Sequence, residues 1–180
     1  VHPYQWPTIG KEVSHIANAR MEDVKSFYRK FYNPNNAILS IAGNIELEEA
    51  KKLTNKWFGD IPAGEDYHRK LPREPSQEKP RLKEVEREVP FDVIGKAYHM
   101  AERRNPRYYP HDLITDLLSN GDSSRFNQEL VKKQKLFSDI QAFVSGELDE
   151  GLLIIYGKLH EGIAMEKAEE AIKEQLQVLK

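Results

Sequence analysis

The chain has 180 residues, and 27 Lys and Arg set against 29 Asp and Glu give a formal net charge of −2, a balance that offers nucleic acid no electrostatic footprint. The length suits one domain or parts of two and can bury a core, while a hydrophobic content of 39% stands above a disordered composition. No apolar run nears the roughly 18 residues that span a bilayer, and the absence of cysteine excludes disulfides, thiolate metal sites and a cysteine nucleophile while leaving the compartment open.

The chain starts at Val1 without a signal-like apolar stretch and reads as a piece of a longer protein. Val1–Gly10 is rich in Pro and aromatics and reads as an extended segment or loop. A helix is predicted over about Met21–Tyr32, where Val24, Phe27, Tyr28, Phe31 and Tyr32 fall on one face toward a core. Asn33-Pro34-Asn35-Asn36 ends it, because Pro cannot continue the ladder. Ala37–Ile45 is a short apolar run, read as a buried strand. A second helix over Leu47–Phe58 turns Leu47, Ala50, Leu53, Trp57 and Phe58 toward a core, with Glu46, Glu48 and Glu49 at the positive end of its dipole.

From Gly59 to about Pro80 the composition shifts to Pro among charged residues, and 63–80 reads as a linker between 1–62 and 81–180. The same pattern allows the two flanking parts to pack as one compact domain. Arg81–Ala101 reads as β structure. Helical patterns cover His111–Leu118 and Ser123–Lys133, with Asp122 or Ser123 as cap of the second. Phe137–Glu147 and Gly151–Glu161 read as two strands of a hairpin through Leu148-Asp149-Glu150, and Met165–Leu179 as a last helix burying Ala168, Ala171, Ile172, Leu176 and Leu179. The fold class is α+β. AILSIAGNI with its following helix echoes GLLIIYGKL with its own, which fits either a duplicated strand–helix unit or the ordinary grammar of such folds.

No catalytic constellation and no metal set emerges from the residues alone. The histidines His2, His15, His68, His99, His111 and His160 form no i, i+4 pair. The fragment His99-Met-Ala-Glu102-Arg103 lacks a second His, and strand alternation sets His99 and Glu102 on opposite faces. Gly121-Asp122-Ser123-Ser124-Arg125 lacks the second Gly and the Lys of a phosphate loop. Neither serine there has an elbow or a base to make it a nucleophile. The aromatic cluster of the first helix, which could stack bases elsewhere, reads as core among acidic neighbours, and the scattered carboxylates as solvated helix surface.

Two blocks carry a resemblance. The first runs from His2-Pro3-Tyr4 and Gly10 through Phe27-Tyr28, Tyr32-x-Pro34-Asn35-Asn36-Ala37 and Gly43 to Phe58-Gly59-x-Ile61-Pro62. The second is Gly121-x-Ser123-Ser124-Arg125 with Glu129-Leu130, followed by the strand GLLIIYGKL. Together they resemble the insulinase (pitrilysin) family of zinc peptidases, which includes the mitochondrial processing peptidase. The resemblance implies a mainly antiparallel sheet packed with helices. Residues 1–62 would end a first peptidase-like unit, and 81–180 would begin a second, of the family's inactive, C-terminal type. It also implies an inverted HxxEH motif with a later Glu ligand in the parent, where zinc lowers the pKa of bound water for peptide hydrolysis. No HxxEH occurs in these 180 residues, so zinc is expected in the full-length parent and not in this portion.

Many relatives carry Leu-Arg-x-x-x-Gly-Leu-x-Tyr after the second block, the Arg and Tyr helping to hold substrate. Aligned on Leu130 and Leu136, this chain has Val131 at the Arg, Lys135 at the Gly and Ser138 at the Tyr, and neither Val131 nor Ser138 can take over the role. The reading is therefore a non-catalytic, substrate-enclosing portion of a zinc-dependent peptidase acting on peptides or unfolded polypeptides, inactive alone. The alternative is a scaffold or binding subunit of the same architecture whose parent has no zinc site. The expected partners are a polypeptide substrate and the rest of the parent or a partner subunit, with homo-oligomers allowed by exchanged elements.

Overall fold

In the computed structural model, which describes Gln5 and residues 9–179, the chain divides into two units, Val1–Glu74 and Pro75–Lys180. The α+β class expected from the sequence is what the chain adopts. Of Val1–Gly10, all but Gln5, Ile9 and Gly10 lies outside the described residues.

Helical periodicity organises the first unit. A short α1 (Val13–Ala17) precedes α2 (Met21–Phe31), and α3 (Leu47–Phe58) follows. Helix α2 carries Glu22 and Asp23 in its first turn and Arg29 and Lys30 in its last, matching its dipole. The Asp23 carboxylate also accepts the backbone N–H of Arg20 at 3.1 Å. At the other end the Asn side chains satisfy carbonyls that the helix leaves open. Asn33 Nδ2 donates to the Arg29 carbonyl and Asn36 Nδ2 to that of Phe31, both at 2.8 Å. Asn35 exchanges two hydrogen bonds with the backbone of Gly64, and Phe31 meets Tyr67 edge-on at 5.0 Å.

Two expectations for this unit are corrected. Residues 37–45 form no strand, and Ile38 is 99% exposed. A buried strand needs a ladder partner for its backbone groups, and no second strand exists among the unit's described residues. The aromatic face of α2 and the apolar face of α3 are likewise not core: Phe27, Tyr28, Tyr32, Leu47, Leu53, Trp57 and Phe58 are exposed. Among the unit's described residues there is no strand to give the two stripes a sheet layer to bury against. The strand–helix echo accordingly fails at its strand half.

The second unit holds the sheet. Strands β1 (Val93–Met100), β2 (Phe137–Ser145) and β3 (Gly151–Leu159) are antiparallel in the order β1-β3-β2. The pairing sets Ile94 opposite Gly157 and Ala142 opposite Ile155. The β structure expected from Arg81 begins only at Val93. Pro90 removes a ladder donor, and Leu82, Val85 and Val89, ahead of it, stay exposed. Helices α4 (Tyr108–Ser119) and α5 (Met165–Gln177) and a π-helix (Phe126–Lys133) complete the unit. On β3 every second residue, from Gly151 to Leu159, is buried, the period of two that a half-covered sheet requires. Ala168, Ala171 and Ile172 bury one face of α5. Phe126, Leu130, Leu136, Phe137 and Ile155 fill the space between, each contributing about 2 kcal/mol of apolar burial.

The helix expected over Ser123–Lys133 is a π-helix, in which the Gln134 N–H reaches back five residues to the Glu129 carbonyl at 2.9 Å. Asp122 and Ser123 do not cap it. The helix starts beyond Arg125, out of reach of a cap placed three residues earlier. The Asp122 carboxylate accepts from Asn127 Nδ2 at 3.2 Å instead.

Candidate functional site

The second unit has a cleft of about 470 Å³ beside β2. Its walls come from the end of α4 (Asp116, Ser119, Asn120), the turn at Gly121 and Asp122, the π-helix (Asn127, Val131) and β2 from Ser138 to Ala142. Gly121 makes the turn possible, with φ at +80°, a conformation that costs glycine little.

The three cleft carboxylates are each held by a side-chain amide. Asn120 donates to Asp116 at 3.1 Å, Asn127 to Asp122 at 3.2 Å and Gln141 to Asp139 at 3.4 Å. Ser119 Oγ bonds both polar backbone atoms of Ala142. Hydroxyl, amide and carboxylate groups thus line the cleft beside the apolar Val131, Ile140 and Ala142.

Val131 and Ser138, the positions matched to the Arg and Tyr of relatives, both line this cleft. Val131 is half-buried against the core. Ser138 sits at a β-bulge between Phe137 and Asp139 and donates to the Lys158 carbonyl at 3.3 Å. Lys135, matched to the family's Gly, has φ at +52°, in the left-handed region that favours glycine.

Other sequence candidates stand apart from the cleft. His99 is exposed on β1, opposite Leu152, and the Arg103 N–H donates to the Glu147 carbonyl. Ser124 is buried, with its Oγ unpartnered. Arg125 reaches Gln175 of α5 at 3.1 Å while its Nε stays buried without a partner. The turn therefore anchors the π-helix to α5. His15 lies in α1, His111 Nδ1 is 2.6 Å from the Arg107 carbonyl, and the His160 N–H donates to the Leu136 carbonyl at 3.0 Å. His68 is exposed, and His2 lies outside the described residues. Among the described residues, no group of three or more His, Cys, Asp or Glu is placed to hold a metal ion. Nor is any helix among them long and apolar enough to cross a membrane. Ser119 was not legible as a site residue, because in sequence it only follows the end of the helical pattern His111–Leu118.

The chain matches the family described as the peptidase M16 inactive domain over residues 18–180. It belongs to the peptidase M16 family. It is 30% identical over 145 residues to the zinc protease PqqE of Helicobacter pylori, covering 79% of this chain and 32% of that protein. It is 26% identical over 180 residues to the uncharacterized zinc protease YmxG of Bacillus subtilis, covering 99% of this chain and 42% of the relative. Among solved structures, a protease from Helicobacter pylori superposes with a TM-score of 0.82 at 26% identity, covering 98% of this chain and 43% of that one. A peptidase M16 inactive domain from Pseudomonas fluorescens gives a TM-score of 0.76 at 17% identity over 98% of this chain and 47% of that one, a likeness of fold. The M16 chain described here thus spans less than half the length of these relatives, and the insulinase-type resemblance read from its motifs is upheld.

Proposed function

We propose that this chain is a non-catalytic wall of a peptide-enclosing chamber in a zinc-dependent M16 peptidase. The observation that carries the reading is the match to the family's inactive domain over residues 18–180. The polar cleft beside β2 supports it, since its walls include Val131 and Ser138, the positions that the resemblance aligns with the substrate-holding Arg and Tyr of relatives. Zinc, and the water it activates, would be supplied by residues beyond these 180, as the names of the relatives suggest. Its substrates would be peptides or unfolded polypeptides, and its partner the rest of the parent or a second subunit. The segment 63–80 serves as the connector between the two peptidase-like parts.

The test is hydrolysis of a quenched fluorescent peptide by the purified 180-residue chain supplied with zinc. No turnover is expected. Turnover abolished by a chelator would overturn the reading.

A second reading, a scaffold subunit of the same architecture with no zinc site in its parent, is favoured by Val131 and Ser138 replacing the substrate-holding pair. The parent frame upstream of Val1 decides between the two. An HxxEH with a later Glu supports the peptidase wall, and its absence supports the scaffold.

A further inference from the structure

Along the outer edge of β2 a side chain takes the place of a neighbouring strand. Ser119, the last residue of α4, accepts the Ala142 N–H at 2.8 Å and donates to the Ala142 carbonyl at 2.9 Å. A hydroxyl has one proton and two acceptor lone pairs, so both bonds form at once. The competing acceptor, the Thr115 carbonyl, is 3.4 Å away, and the shorter contact takes the proton. These are the two bonds that a residue of an added antiparallel strand would exchange with Ala142.

The register makes the position central. Ala142 lies opposite Ile155 of β3, yet both of its polar backbone groups turn to Ser119. In an antiparallel ladder, outward-facing residues alternate, so Ile140 and Val144 present their backbone groups to the same edge. Ser119 holds the middle of three outward positions. An extended segment cannot pair along β2 without displacing it. The edge needs such protection, because Phe137, Ile140, Phe143 and Val144 give β2 strong strand propensity and an open edge of that kind templates strand addition.

We propose that Ser119 is a built-in strand mimic that closes the outer edge of β2 to extended polypeptide, so that a peptide in the adjoining cleft is held by side chains and not by an added ladder. The consequence for peptide binding rests on the reading of the cleft as a chamber wall. The closure itself does not.

Amide hydrogen exchange, resolved by residue in the purified protein, tests it. In the wild type, the Ala142 amide should exchange at least about tenfold more slowly than those of Ile140 and Val144, as a hydrogen bond worth about 1.4 kcal/mol predicts. Ser119→Ala should bring Ala142 to their rate, and Ser119→Thr, which keeps the hydroxyl, should preserve the protection. Equal wild-type rates at the three amides overturn the proposal, a result that needs no variant to fold. So does protection that survives Ser119→Ala. A synthetic peptide of sequence FSDIQAFVS serves as strand probe. It should slow exchange at Ile140 and Val144 in Ser119→Ala only. Equal slowing in the wild type means that the edge is already open, and overturns the proposal. None of these readouts depends on peptide hydrolysis, so they fail separately from the chamber reading.

Discussion

Lys135 holds a backbone conformation that its side chain opposes, with φ at +52°. The turn around it is fixed by hydrogen bonds on both sides, from the Gln134 N–H to the Glu129 carbonyl and from the Leu136 N–H to the Leu130 carbonyl, both at 2.9 Å. The conformation therefore belongs to the junction of π-helix and β2, and the residue adapts to it. Lys135→Gly relieves about 1–2 kcal/mol of left-handed strain and gives back part of it as unfolded-chain entropy. A net gain of about 0.5 kcal/mol is expected, read as a higher urea midpoint at unchanged slope. Lys135→Val should lose about 1 kcal/mol or more, since a branched Cβ tolerates this region least. Gly157 is constrained for a different reason. A Cβ built there meets the Phe137 ring at 2.7 Å, and Phe137 is fully buried, so the ring has nowhere to move. Gly157→Ala should cost about 1–3 kcal/mol of overpacking. Adding Phe137→Leu to that variant should cost less than it does in the wild type, a coupling that a double-mutant cycle measures.

Between elements, α5 is pinned to the sheet by one partly buried ion pair, Lys96 Nζ to Glu169 Oε1 at 2.7 Å. The hydrogen bond from Lys96, then its charge, hold the Glu169 carboxyl below the usual glutamate range, with Lys173 adding to the effect. A carboxylate depressed on folding stabilises the protein above its unfolded pKa, and that contribution is lost as pH falls through the folded value. Glu169→Gln should therefore lower stability at neutral pH by no more than about 1 kcal/mol, given the exposure of the pair. The gap between variant and wild type should close in acid, as urea midpoints followed down the pH scale will show.

The elements also mark how far the sequence could be read. Helices α2, α3, α4 and α5 were legible to within a few residues, because their spacing and breakers are local. GLLIIYGKL became β3 as its apolar run implied, and the polar positions of its partner β2 matched one-sided burial. AILSIAGNI, with the same number of hydrophobic residues, stayed unpaired. A strand is a relation between two segments, and composition describes only one of them. Val131 and Ser138, picked out by the motif alignment, line the cleft, but the alignment gave neither of them a role. Ser119 was not picked out, because its partner Ala142 lies 23 residues away and nothing in a run of Leu-Ser-Asn-Gly announces a sheet edge.

At the scale of the molecule, the two units differ in what holds them. The buried residues, from Ile94 to Gln175, all belong to the second unit; among its described residues the first has none. Its helices are held by end charges, Asn caps and ring contacts such as the 5.0 Å stack of Tyr28 on Tyr32, interactions worth about 1 kcal/mol or less each. Ordering a helical segment costs comparable entropy per residue, so little net stability remains for this unit by itself. The second unit offsets that entropy with a filled core. Limited chymotrypsin digestion of the 180-residue chain should therefore cut first at Phe27, Tyr28, Tyr32, Trp57 and Phe58, aromatic sites exposed on helices that open locally at small cost. A resistant fragment beginning near Asp92, after the exposed Phe91 and ahead of β1, should persist, with the digestion followed by mass spectrometry. Phe126→Ala, which removes a fully buried ring at a cost of about 3–5 kcal/mol, should abolish that resistance while leaving the early cuts unchanged. Equal cleavage rates across both units of the wild-type chain would show instead that the first unit draws its stability from contacts other than its own core.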